Sequence, residues 1–432
     1  MQMTRRGAII AGGASLLAGT AAAEGLNPPP GAANDAFPIF SDAEMAGRLA
    51  RVREEMGRRG LEALLVYGHT GVGNSPGQVN LQYLARYAAV IETYLLVPAD
   101  GALTMFLAVP YHIPNAREIS SVDDIRWGDA LGGAIGEIKG KGFKKVGLVG
   151  PGAVAHSGPT LFAEGRDRLA AGLEGVRLEN ATPWFDDLRL IKSDEELAVM
   201  RSAGALTDAA HEVVFASTRA GATSRSIRRA MDVLAAQNGA TYPFGHIGAI
   251  SMAVPQGFYP DFYPTDAPIA PGSVMMTELC LGHGNYWAKL WGSYFVGEPT
   301  AEYRRLFETA AKVHDDLVAG LKPGMTGREV NAFLAPIAAA GFEQPANVLV
   351  GGWSAMNHAP QMGAMTSSLS EPFTRPFVDV ALQPRQTLTV QAWVSVPGQP
   401  KGLWVGSSGV ITETGYESFN RYPVSKLRVV QP

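Results

Sequence analysis

The chain has little of several things, and each shortage narrows what it can do. Its 432 residues hold one cysteine, Cys280, which excludes an internal disulfide. Set in the apolar run Glu278-Leu279-Cys280-Leu281, that thiol reads as buried and inert rather than nucleophilic. Charged residues make up only 18%, the formal net charge is -4 and there is no long basic run. That leaves no electrostatic footing for nucleic acid or an anionic membrane, and small molecules or peptides are the expected partners. Beyond the N-terminal segment, no apolar stretch is long and unbroken enough to span a bilayer. What is abundant is hydrophobic content, 46%, enough for a large core and two domains.

Residues 1–23 stand apart. Thr4-Arg5-Arg6 leads into the Gly/Ala-rich apolar run Ala8–Leu17, and Ala21-Ala22-Ala23 offers a small-residue cleavage site before Glu24. This predicts a signal peptide, of twin-arginine type by its paired arginines, and a periplasmic location in a bacterium; a general secretory signal is the alternative. A Pro/Gly-rich linker occupies residues 24–37.

The rest divides in two. Over residues 38–187, Ser41 and Glu44 predict a capping box for a helix ending at Gly60. Strands are expected at Leu61–Tyr67, Ile91–Val97, Leu103–Leu107 and Lys145–Val149, with a helix near Leu131–Lys139, which gives a small α/β domain. Over residues 188–432, Ser193 and Glu196 form a second capping box, and helices are expected at Ser224–Gln237 and from Glu302 to Leu321. Val274–Pro299 reads as a hairpin closed by the polar turn His283-Gly284-Asn285.

These segments resemble the creatinase/aminopeptidase P/prolidase-like family with the pita-bread fold (peptidase M24). The likeness is carried by Asn80-Leu81-Gln82-Tyr83-Leu84, by the junction Leu188-Arg189-Leu190-Ile191-Lys192-Ser193, by Lys322-Pro323-Gly324 followed by Thr326-Gly327-Arg328-Glu329-Val330, and by the hairpin. It implies an α/β creatinase-like N-terminal domain, an α+β pita-bread C-terminal catalytic domain and a homodimer. The resemblance also implies five metal ligands: counting back from Gly297 puts the first two at Glu278 and Lys289, and the family's later motifs put the others at Gly351 (or Val350), Gln391 and Gly406. Only the first suits a divalent cation, because a dinuclear site needs anionic oxygens and an ammonium repels the ions. The expectation is therefore a metal-binding scaffold without its metal, and no cofactor. The His-Tyr that supplies an imidazole in creatinase-like enzymes falls on Phe262-Tyr263.

Side chains at i and i+2 share a strand face, so an aromatic box is expected to fill the vacated space. Trp287 and Trp291 flank Lys289, while Trp353, Trp393 and Trp404 each lie two residues from Gly351, Gln391 and Gly406, which together are five of the seven tryptophans. The box reads either as a stacking pocket for a flat substrate or as rings refilling a cavity. Glu278 and Lys289 should sit across the hairpin as an ion pair, either neutralising each other or doing proton chemistry. His246, in Tyr242-Pro243-Phe244-Gly245-His246, and His358 are the other catalytic candidates, whereas His283 should be solvated. By the resemblance, Arg86 and Tyr87 reach a partner's pocket, where Arg86 would bind a carboxylate or phenolate.

The function expected on these grounds is metal-independent cleavage of a small, aromatic molecule by acid/base proton transfer, hydrolysis and elimination both being open. A catalytically silent binding protein is the alternative, and a proline-specific metallopeptidase the least favoured.

Overall fold

The computed structural model describes residues 40–68, 76–88, 91–150, 161–257, 263–345, 350–352 and 381–431. The expected signal segment and linker, Phe262, Trp353 and His358 lie outside the described residues. The chain separates into two compact units, Ile39–Leu197 with Gly351–Leu388, and Ala198–Val350 with Thr389–Pro432.

The N-terminal unit runs α1 (Asp42–Arg58), β1 (Ala63–Gly68), α2 (Pro76–Ala85), β2 (Thr93–Pro98), β3 (Thr104–Leu107), α3 (Ile113–Ile119), β4 (Asp124–Trp127), α4 (Ala130–Gly140), β5 (Lys145–Val149), α5 (Ala163–Gly172), β6 (Arg177–Asn180) and α6 (Thr182–Leu190). Its six strands order β4-β3-β2-β1-β5-β6. Strands β1 and β2 are buried throughout, which is why their sequences read as unbroken apolar runs rather than alternating ones. Leu65, Leu96, Phe106, Leu131, Ala134 and Ile138 pack as one core, each large aliphatic contributing about 1.5–3 kcal/mol by leaving water.

Helix α1 begins where expected but is capped differently. The Ser41 hydroxyl accepts from the Glu44 N–H at 3.1 Å, yet Glu44 does not return to Ser41; its carboxylate takes Arg48 Nε at 2.6 Å, and the Ser41 N–H goes instead to Glu195 at 2.9 Å. The buried Arg48, stacked on Phe40 and Tyr83, competes successfully for that carboxylate. The Ser193–Glu196 box is complete in both directions.

The C-terminal unit carries most of α7 (Asp194–Ser217), then α8 (Ser224–Gln237), β7 (Thr241–Ser251), β8 (Ser273–His283), β9 (Tyr286–Val296), α9 (Ala301–Gly320), the first residue of β10 (Val350–Gly352), most of β11 (Thr387–Ser395), β12 (Gly402–Ile411), β13 (Tyr416–Ser418) and β14 (Val429–Val430). The sheet order is β10-β11-β12-β9-β8-β7, with β13 beside β12 and β14 beside β9. Alternation along β8 and β9 decides the faces. Met275, Leu279 and Leu281 on β8, with Tyr294 and Val296 on β9, pack with Leu206, Val214, Ile227 and Met231 of the helices. The intervening positions, Glu278, Cys280 and Lys289 among them, therefore point to the other face. Gly284 and Asn285 both adopt positive φ, 54° and 68°, forming the two-residue turn that suits the twist of a hairpin. His283 pairs with Tyr286 beside it and is only 6% exposed, so the expectation of a solvated imidazole is corrected: the turn is one residue shorter than the sequence suggested.

His211 on α7 lies under the hairpin, fully buried, with Nε2 3.2 Å from the Leu290 carbonyl. Burial, with Arg428 acting in the same direction, pushes its imidazole down to about 3 against the opposing carbonyl contact. The unfolded chain binds a proton near pH 6.5 that the native state refuses until about pH 3, so stability is fully present above the upper value and is lost as pH falls through that window. The expected slope is up to about 1.4 kcal/mol per pH unit from this one group. His211→Phe keeps a ring against Tyr422 and should flatten the urea midpoint between pH 6 and pH 4; an unchanged slope would assign the acid sensitivity elsewhere.

Candidate functional site

Strand register collects the predicted positions into one transverse row. His246 on β7 lies opposite Glu278 on β8, Glu278 opposite Trp291 on β9, and Trp291 opposite Gly406 on β12. Gln391 of β11 completes the row, its Cα 3.1 Å from where a Cβ on Gly406 would stand. Lys289 is one step diagonal to Glu278, in register with Cys280 rather than directly across from the glutamate. Long side chains bridge that diagonal. The Lys289 ammonium forms an ion pair with Glu278 and sits 4.6 Å from the centre of the Trp291 ring. Glu278, Lys289 and Gln391 are 7%, 9% and 5% exposed, so the charges meet in a largely desolvated wall, where each depends on the other. Cys280, beside them, is fully buried, and burial pushes its thiol up, away from the reactive thiolate.

The tryptophans behave differently from a stacking box. Trp287, Trp291 and Trp404 are 2%, 2% and 0% exposed. The Trp404 indole N–H donates to the Thr277 carbonyl at 2.9 Å, and its ring meets Trp393 edge to face at 4.8 Å. Trp287, Trp291 and Trp404 are covered within the wall, which is the cavity-filling reading for these three, while Trp393 is partly exposed. Arg86 and Tyr87 sit in the N-terminal unit. Arg86 is held by Asp42 at 2.6 Å in a left-handed backbone conformation, and Tyr87 is 1% exposed.

The residues at the row do not fit a dinuclear metal shell. Lys289 brings an ammonium and Gln391 a neutral amide. Gly406 brings no donor and has no room for one, since a Cβ there would stand 2.7 Å from the Val390 carbonyl and 2.8 Å from the Trp291 ring. Among the described residues no group of three or more His, Cys, Asp or Glu gathers around a common point.

A cavity of about 820 Å³ opens in the N-terminal unit, lined by Arg51, Arg59, Trp184, Lys192 and Arg385 among others, none of them in the row. Its charges are largely satisfied locally: Arg59 on Glu55 at 2.8 Å, Arg385 on Asp194 at 2.7 Å, and Lys192 on the carbonyls of Arg189 and Leu190. Burial brings the Lys192 ammonium down to about 7, a perturbation with no sequence signal beyond its place in the junction motif. The titratable groups that converge outside this cavity, His246, Glu278 and Lys289, lie in the row.

Residues 198–414 match the metallopeptidase family M24, and residues 48–191 match the creatinase/prolidase N-terminal domain. The chain belongs to metallopeptidase family M24. An Xaa-Pro dipeptidase of Pyrococcus horikoshii is 19% identical over 374 residues, 86% of this chain and 96% of that protein. A Bacillus creatinase is 20% identical over 400 residues, 89% and 92% of the two chains. The crystal structure of the Pyrococcus horikoshii prolidase superposes with a TM-score of 0.72 at 17% identity, covering 87% of this chain and 98% of that one. Zinc-substituted Escherichia coli aminopeptidase P in complex with product gives a TM-score of 0.69 at 17% identity, covering 90% and 97%. The creatinase-like domain followed by a pita-bread domain is thus the fold, as the motifs predicted. At the family's level the M24 chain is an enzyme, a creatinase-like hydrolase.

These relatives overturn the expected activity. Xaa-Pro dipeptidases are among the relatives, one matched along 86% of this chain and another along 56%, which favours a proline-specific peptidase over metal-independent cleavage of an aromatic molecule. The closed rings of Trp287, Trp291 and Trp404 agree with that correction, because a flat substrate would need an open indole face. The sequence misled on this point because strand periodicity gives the side of the sheet a ring occupies but not whether neighbouring strands cover it.

Proposed function

We propose that this M24 protein hydrolyses the amide bond of short Xaa-Pro peptides at the His246–Glu278–Lys289 row. The observation that carries the reading is the match to an Xaa-Pro dipeptidase over 96% of that protein's length, together with a row of polar groups on the pita-bread sheet. In amide hydrolysis a water oxygen bonds to the carbonyl carbon, the carbon–nitrogen bond breaks, and the water's proton ends on the leaving nitrogen. A cationic group facing the carbonyl oxygen stabilises the charge that develops there, and a nearby base accepts and returns the proton. Lys289 supplies the cation, held between Glu278 and Trp291. In this reading the proton is carried by His246, which lies on the strand next to Glu278 and is only partly buried.

Released proline, measured after incubation with Ala-Pro, Met-Pro and Gly-Pro, tests this. Assays run on the protein as isolated, and again with added manganese, cobalt or zinc, are expected to show proline from Xaa-Pro peptides and no comparable amine from Ala-Ala or creatine. No proline from any Xaa-Pro peptide under any of these conditions would overturn the reading, and preferential turnover of creatine would redirect it to the creatinase branch.

A further inference from the structure

The row lies against an interruption in the sheet. Between β9 and β12, direct Cα pairing is confined to Trp291 and Gly406. Two residues to either side, serine hydroxyls stand where backbone rungs of an antiparallel ladder would be. Ser408 Oγ accepts the Lys289 N–H at 2.7 Å and donates to the Lys289 carbonyl at 2.7 Å. Ser293 Oγ does the same for Trp404, accepting its N–H at 3.3 Å and donating to its carbonyl at 2.7 Å. Each serine inserts an atom between strands that would otherwise bond directly, so Lys289, held in the hairpin ladder on its β8 side, is gripped on its β12 side by a side chain.

Ser408 is itself held from behind. Its N–H donates to Asn420 Oδ1 at 2.9 Å, and Asn420 Nδ2 donates to Asp208 Oδ1 at 3.1 Å and to the Gly204 carbonyl at 3.3 Å. The other Asp208 oxygen accepts the Arg421 N–H at 2.6 Å. Ser408 and Asn420 are 1% and 8% exposed. A buried chain of hydrogen bonds thus runs from α7 through Asn420 and Ser408 to the backbone that carries the ammonium. In a desolvated site such a chain is rigid, because losing any member leaves buried groups without partners.

We infer that Ser408, held by Asn420 and Asp208, is a positioning residue that sets where the Lys289 ammonium lies; its effect on turnover rests on the role proposed for Lys289 above. The twin contact at Ser293 supplies the control, since it has the same chemistry but grips Trp404.

The experiment labels lysine side-chain nitrogens with ¹⁵N in the full-length chain and identifies the ammonium signal of Lys289 as the one missing from Lys289→Met. In Ser408→Ala that signal should shift or exchange faster, while Ser293→Ala and Ser408→Thr, which keeps the hydroxyl, leave it in place. With a peptide substrate, kcat of Ser408→Ala should fall by about tenfold or more at little change in KM, the mark of a loss felt in the transition state. Ser293→Ala should stay within about twofold. If Ser408→Ala does not fold, Asn420→Ala, which loosens Ser408 without deleting it, should move the Lys289 signal in the same sense. An unmoved signal in whichever of these two variants folds, or an equal shift in Ser293→Ala, overturns the inference. If the wild type releases no proline, the proposed activity fails, yet the resonance measurement still decides whether Ser408 positions Lys289.

Discussion

Lys289→Met is expected to lower turnover by about a hundredfold or more while leaving the protein folded. Methionine keeps the unbranched stem and its contact with the Trp291 ring but removes the ammonium, so packing changes little and charge changes fully. A hundredfold corresponds to about 2.7 kcal/mol of transition-state stabilisation, within the range for one electrostatic group aimed at a developing oxyanion. The substitution also takes from Glu278 its ammonium partner in a site where both are less than a tenth exposed. Stability should therefore fall as well, since breaking a buried pair by removing one member costs about 3–5 kcal/mol. The two effects separate in practice, because turnover is read on the folded fraction and stability by denaturant. Glu278→Gln with Lys289→Met removes both charges and should recover stability but not activity. If Lys289→Met retained turnover within a few-fold, Lys289 would be only the partner of Glu278, and the proton chemistry would have to be sought at His246.

How much of this was readable beforehand differs by level. The fold was legible because its signals are local or short-range. The complete Ser193–Glu196 capping box, helix α8 and the alternation along β8 and β9 each need only a dozen or so residues to declare themselves. The ion pair of Glu278 and Lys289 was legible too, since a hairpin register follows from its turn, although the turn is one residue shorter than it reads and places the pair on a diagonal. What escaped depends on non-local neighbours. Nothing near Ser408 in sequence announces that its hydroxyl bonds the backbone of Lys289, 119 residues away. Nor does the sequence show that Trp291 and Trp404 are sealed by adjacent strands, and for that reason an aromatic box suggested an aromatic substrate. Activity was the least legible level, because relatives sharing this fold include both dipeptidases and a creatinase.

Gly406→Ala is expected to destabilise the C-terminal unit on the order of 3 kcal/mol, and Gly406→Glu to prevent it from folding. The reason is geometric and does not depend on glycine's backbone freedom. A Cβ at this position would stand 2.7 Å from the Val390 carbonyl oxygen and 2.8 Å from the Trp291 ring, both inside normal contact distance, and the first obstacle is backbone in a central sheet that cannot rotate aside. The Trp291 ring and Gly406 are thus complementary, the bulk of one lying over the space left by the other. That complementarity yields a second, sharper expectation. Trp291→Ala alone should destabilise by leaving a cavity, roughly 3–5 kcal/mol for a buried indole. In the background of Trp291→Ala, however, Gly406→Ala should cost less than it does in the wild type, because one of its two clashes is gone. The coupling between the two sites, measured by urea unfolding of the four proteins in the cycle, should be on the order of 1 kcal/mol or more in the direction of rescue. Full rescue would mean that the Val390 carbonyl yields more easily than a central strand should. Strict additivity would mean that the ring and the glycine do not oppose each other, and the account of why this position cannot carry a ligand side chain would then be wrong. Restoring the carboxylate that the family resemblance implies here is accordingly not a route to a metal site, since a glutamate at 406 meets the sheet before it can reach an ion.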